Sequence, residues 1–161
     1  MRSTATEPRE PAYQSALRLL AGRDYTAAAL ARKLEQRGHA AGQVAEAVAR
    51  LRAERFLDDR RYAEHFIAQA CESGRYVGYR LRQELKRRGV PPELLVELLA
   101  DRADSGGEVD LARQLVARRY AGYDPAGSDD RLRRRVAGFL QRRGFSLDVI
   151  RQLMERRRQV D

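Results

Sequence analysis

Three glycines, Gly38, Gly89 and Gly144, sit at the centre of one repeating apolar pattern, and that repetition constrains the fold more than any other feature. Around Gly89, leucines stand four and eight residues before (Leu85, Leu81) and six and ten after (Leu95, Leu99). The same offsets from Gly38 give Leu34, Leu30, Val44 and Val48; from Gly144 they give Leu140, Val136, Ile150 and Met154. An arginine precedes each glycine: Arg37, Arg88 and Arg143. Residues four apart share one face of a helix, so each unit predicts a helix with an apolar stripe, a stop, and a second striped helix. The glycine suits a left-handed helix end. Pro91-Pro92-Glu93 and Ser146 each open a second helix, since proline is tolerated in a first turn and serine caps free amide groups.

A further amphipathic segment precedes each pair, marked by Ala16, Leu17 and Leu20, by Tyr62, Ala63 and Phe66, and by Leu111, Ala112 and Leu115. No Val/Ile/Thr-rich run alternates with period two, so strands are not expected. The predicted fold is all-α: three tandem three-helix repeats in an elongated, helix-turn-helix-like array, roughly 60–75 Å long. The modules cover residues 12–57, 58–103 and 108–158, with residues 1–11 as a disordered N-terminal tail. A two-helix pair cannot bury both faces, so the third helix and the next module complete each core. Leu30, Leu34, Gly38, Leu81, Leu85, Gly89, Val136, Leu140 and Gly144 are the predicted structural core of the repeats.

Charge narrows the function. Lys and Arg number 32 against 23 acidic residues, a net charge of +9, almost all of it from arginine. Such a balance fits an anionic polymer or an acidic protein surface as partner. Residues 75–88 carry Arg75, Arg80, Arg82, Lys86, Arg87 and Arg88 against Glu84; residues 131–143 carry Arg131, Arg133, Arg134, Arg135, Arg142 and Arg143 with no acid. The first module is milder, with Arg32, Lys33 and Arg37 against Glu35. A purely solvated helix face mixes its charges for pairing along the helix, and these do not. Arg37, Arg75, Arg80, Arg82, Lys86, Arg87, Arg88, Arg131, Arg133, Arg134, Arg135, Arg142 and Arg143 are therefore the candidate contacts to an anionic partner.

Other chemistries find little support. A helix-turn-helix transcription factor would present the second helix of a pair to DNA, yet "PPELLVELLADRAD" holds Glu93, Glu97, Asp101 and Asp104 against Arg102 alone. Asp58 and Asp59 read as caps of the helix they open rather than as a metal or acid–base pair. His39 and His65 lack metal-cluster spacing, Cys71 lies six residues after His65 and off its helix face with no third group to orient them as a nucleophile pair, and no phosphate-binding P-loop is present. No catalytic residue, cofactor or metal is expected. Tyr25, Tyr76, Tyr79, Tyr120 and Tyr123 lie near connectors beside arginines, where base stacking and core packing are both open. The single cysteine fits a reducing cytoplasm, and "MRSTATEPREP" lacks the apolar region of a secretory signal. No membrane association is expected.

The stretch "FLDDRRYAEHFIAQACESGRYVGYRLRQELKRRGV" resembles the RecX family of regulators of the bacterial recombinase RecA. Phe56, Asp58, Asp59, Tyr62, Ala63, Phe66, Gly78, Leu81, Glu84, Leu85, Arg88 and Gly89 carry the likeness, and "ALRLLAGRDYTAAALARKLEQRG" is similar to the family's first module. The chain departs from the family pattern at Ala29, at Ala70 and Cys71, and at Arg55, where a glycine is usual. The resemblance implies three-helix repeats that bind the RecA filament on single-stranded DNA. It implies inhibition of RecA's recombinase, ATPase and co-protease activities, and so modulation of recombinational repair and the SOS response. The expected partners are that filament, single-stranded DNA and, weakly, duplex DNA without sequence preference, met by a monomer.

Overall fold

The computed structural model describes residues 10–100 and 105–155, and every regular element among them is an α-helix. In chain order these are α1 (Ala12–Gly22), α2 (Ala27–Gln36), α3 (Ala41–Ala53), α4 (Asp59–Ser73), α5 (Gly78–Arg87), α6 (Pro92–Ala100), α7 (Ser105–Arg119), α8 (Asp130–Arg143) and α9 (Leu147–Met154). Of the expected N-terminal tail, residues 1–9 lie outside the described residues.

The repeat has a shared stop signal. Gly38, Gly89 and Gly144 have φ of 91°, 87° and 103°, the left-handed region that side chains resist. In each case the next residue turns its N–H back to the carbonyl four before the glycine: His39 to Leu34 (3.2 Å), Val90 to Leu85 (3.1 Å) and Phe145 to Leu140 (3.3 Å). This closes the helix end and satisfies carbonyls left without intrahelical partners. His39, Val90 and Phe145 are all buried beside that turn. The residues eight before, four before and six after each glycine are buried in all three repeats, and those ten after are half-buried.

Starts are equally local. The Thr26 hydroxyl accepts from Ala29 N–H (3.1 Å), Asp129 from Leu132 N–H (2.7 Å) and Ser146 from Val149 N–H (3.2 Å). Asp58 caps its own helix through Arg61 N–H (3.0 Å). Asp59 departs from the sequence expectation: one carboxylate oxygen accepts from Ala27 N–H at the start of α2 (2.7 Å), while the other meets Arg52 (2.9 Å). It caps a helix 32 residues earlier in the chain rather than its own.

The chain forms two compact units, Met1–Phe66 with Leu85–Leu95, and Ile67–Glu84 with Val96–Asp161. In unit 1, α1, α2 and α3 pack mutually around Ala16, Leu30, Leu34, Val44, Leu51 and Leu57. Leu30, Leu34 and Leu51 are fully enclosed, each contributing about 1.5–3 kcal/mol by leaving water. The end of α5 closes against the start of α2, where the buried Thr26 hydroxyl donates to the Arg88 carbonyl (2.5 Å).

In unit 2, α9 packs on both α7 and α8 around Ala112, Leu115, Val116, Val136, Leu140, Phe145, Val149 and Leu153. The end of α8 meets the start of α5, with Val77 N–H donating to the Arg143 carbonyl (2.9 Å). A Cβ on Gly144 would run into the Val77 carbonyl oxygen and the Arg80 side chain, so glycine is needed there for space as well as conformation. In each unit, then, the negative end of one helix sits on the positive start of another, an arrangement the peptide dipoles favour.

Candidate anion-binding interface

Cations from several elements converge in unit 1, in a cleft of about 390 Å³. The connector before α2 supplies Arg23, Asp24, Tyr25 and Thr26; α2 supplies Ala29, Arg32, Lys33 and Gln36; the end of α5 supplies Arg87 and Arg88; α4 supplies Tyr62. Five cations therefore face one carboxylate. They converge because the Thr26–Arg88 hydrogen bond pins the end of α5 to the start of α2. Arg32 reaches this joint, and a Cβ on Gly89 would stand 3.6 Å from its guanidinium.

Elsewhere in unit 1 arginines sit against carboxylates: Arg18 on Glu10 (2.8 Å), Arg50 on Glu54 (2.9 Å) and Arg52 on Asp59 (2.9 Å). Arg60 lies 3.8 Å from Glu64. Arg32 and Lys33 have no such partner among the described residues. With five cations and one carboxylate in its lining, the cleft lowers its own electrostatic repulsion by taking up an anion.

The arginines before the three glycines behave differently from the rest. Arg88 is half-buried, stacks 4.4 Å from the Phe66 ring and donates to the Tyr62 hydroxyl (2.9 Å). Arg143, also half-buried, stacks 4.4 Å from Phe139 and donates to the Gly74 carbonyl (2.7 Å). Arg37 donates to the Ser15 hydroxyl (3.2 Å). The fork of each guanidinium thus ties a helix end to a neighbouring segment, and the aliphatic stem packs.

The remaining sequence candidates are spread out. Lys86 and Arg87 lie exposed in the last turn of α5, and Arg75 rests 5.4 Å from the Tyr76 ring. Arg80 lies against Gly144, and Arg82 lines a separate cavity with Val77, Leu81, Leu99 and Leu111. On α8, Arg131, Arg135 and Arg142 are exposed and share the face opposite the buried Val136 and Leu140. Arg133 and Arg134 line a shallow depression with Asp130, Ala137 and Met154.

The tyrosines mostly pack. Tyr25 is buried under Arg23, whose guanidinium lies 4.4 Å from the ring. Tyr120 meets Phe139 edge-on at 5.5 Å, and the Tyr123 hydroxyl reaches the Met154 sulfur (2.9 Å). Only Tyr79, 69% exposed, stands out among these five, held by Gln83 at 2.6 Å. Among the described residues no group of three or more His, Cys, Asp or Glu is placed to hold a metal, and no helix is long and apolar enough to cross a membrane.

Family models for the first, second and third three-helix domains of RecX match residues 12–51, 58–99 and 107–154. The chain belongs to the RecX family. It is 56% identical to Regulatory protein RecX of Trichlorobacter lovleyi over 144 residues, covering 89% of this chain and 94% of the relative. Against Regulatory protein RecX of Syntrophotalea carbinolica it is 33% identical, covering 94% and 99% of the two chains. The crystal structure of RecX from Lactobacillus salivarius has the same fold, with a TM-score of 0.66 at 20% identity over 89% of this chain and 92% of that one. The RecX family is one of regulatory proteins, not enzymes.

The second helix of the middle RecX domain is the basic α5 and its third helix the acidic α6, with Glu93 and Glu97. Sequence reasoning placed Arg87 and Arg88 among the contacts but left out Arg23, Arg32 and Lys33, which the fold gathers beside them. The available signal was modest: a +2 stretch over residues 32–37 and an arginine three residues before the Thr26 cap.

Proposed function

We propose that this chain regulates the recombinase RecA by docking on the filament that RecA forms on single-stranded DNA and inhibiting its recombinase, ATPase and co-protease activities. The observation that carries this reading is the match of all three RecX domains, in order, along one chain. Clusters of arginine on several helices support it, since such a filament offers phosphate and carboxylate together, and arginine binds both in bidentate fashion. Lys86, Arg87, Arg131, Arg134, Arg135 and Arg142 are exposed, which suits them for that contact. The monomer would act in the cytoplasm on recombinational repair and the SOS response. Binding to free DNA, single-stranded or more weakly duplex, would be independent of sequence, because the acidic α6 repels the phosphates that a recognition helix must approach.

Co-sedimentation with RecA, with and without single-stranded DNA, tests the reading. The chain should pellet with the RecA–DNA filament in saturable fashion. Its remaining in the supernatant at filament concentrations well above micromolar would overturn the proposal.

A further inference from the structure

We infer that the unit 1 cleft between α2 and the end of α5 is a binding site for the phosphodiester backbone of single-stranded nucleic acid, read through charge and not through bases. It deepens the RecA-filament reading by assigning the strand contact to one cleft. Its lining brings Arg23, Arg32, Lys33, Arg87 and Arg88 together with one carboxylate, Asp24, and Arg32 and Lys33 lie in no ion pair among the described residues. Of its two aromatic rings, Tyr25 is buried under Arg23, and the Tyr62 hydroxyl accepts from Arg88. The lining is thus dominated by cations, with at most one half-buried ring for stacking, so charge outweighs base stacking here. An acidic peptide is the weaker fit, because peptides anchor through apolar side chains and Ala29 is the one aliphatic residue in the lining. A polynucleotide needs no such anchor, since displaced counterions drive its association.

The test is anisotropy of fluorescein-labelled oligothymidylate, without RecA, across a salt series. Arg32→Gln/Arg87→Gln should weaken binding tenfold or more at low salt and flatten the log affinity against log salt slope by about 1.4, two contacts at roughly 0.7 each. The control, Arg118→Gln/Arg119→Gln on the exposed end of α7, removes equal charge and should change affinity less than threefold. Oligoadenylate should bind within a few-fold of oligothymidylate. Equal losses in both variants, an unchanged affinity in the cleft variant, a strong base preference, or polyglutamate binding that the cleft variant loses in place of oligothymidylate binding would each overturn the assignment. Helical circular dichroism and the melting temperature of each variant separate a lost contact from a lost fold. RecA ATPase inhibition by the wild-type chain distinguishes the two readings. Inhibition with no cleft effect sinks the cleft alone; a cleft effect with no inhibition sinks the RecA reading alone.

Discussion

The Thr26 hydroxyl both caps α2, by accepting from Ala29, and closes the end of α5, by donating to the Arg88 carbonyl 2.5 Å away. Thr26 is wholly buried, and its two partners, Ala29 and Arg88, are half-buried. Thr26→Val keeps the shape and removes both bonds. It should cost about 2–3 kcal/mol, from a lost cap and a stranded carbonyl, as a fall in the urea midpoint. A loss below about 1 kcal/mol would show that this joint does not hold the cleft together.

Gly144 should be the least tolerant glycine. Gly144→Ala forces a side chain into the left-handed region and onto the Val77 carbonyl, so a loss of more than about 2 kcal/mol is expected. Gly42, inside α3 with open space where its Cβ would stand, provides the contrast. Gly42→Ala should stabilise by about 0.5–1 kcal/mol in the same denaturation assay.

Arg55 stands at φ 61°, the one non-glycine residue at positive φ among those described. The RecX resemblance implies a glycine there, and a positive φ suits one. Arg55→Gly should therefore raise stability by roughly 0.5–1 kcal/mol despite the added freedom of the unfolded chain. A destabilisation of similar size would mean that the arginine side chain makes up the strain through its contacts.

Glu108, in the first turn of α7, has its carboxyl pushed above the usual range by burial. A carboxyl raised in the folded state carries no penalty while protonated in both states. The penalty appears as pH rises past the unfolded value of about 4.3 and is complete above the folded one. Glu108→Gln should thus unfold at a higher temperature than wild type at pH 7 and at nearly the same temperature near pH 4. Equal midpoints at pH 7 would contradict that burial.

The repeat was legible in sequence because it is local. Leu85, Gly89 and Leu95 mark stripe, stop and stripe by spacing alone, and their equivalents in the other modules do the same. Cap residues such as Ser146 were legible for the same reason. What spacing could not reveal was any bond across the chain. Asp59 looked like a cap for its own helix, yet it reaches Ala27, because which amide it meets depends on how α4 packs. Arg88 looked like a surface charge; its ring partner Phe66 lies 22 positions earlier on another helix. The burial of His39, Val90 and Phe145 after the glycines was a missed part of the pattern, hidden because one of the three is polar. The basic cleft stayed dispersed for a like reason, with Arg32 and Arg87 more than fifty residues apart in the chain and brought together where the end of α5 meets Thr26.

The central claim is regulation of RecA through this chain's exposed cations, and RecA's ATPase on single-stranded DNA measures it most directly. The wild-type chain should suppress that ATPase in a saturable titration. Lys86→Glu/Arg87→Glu, which spares Arg88 because Arg88 packs on Phe66 and Tyr62, should need roughly 100-fold more protein for the same effect while melting at the wild-type temperature. An ATPase rate left at its uninhibited value by saturating wild-type chain would contradict the account.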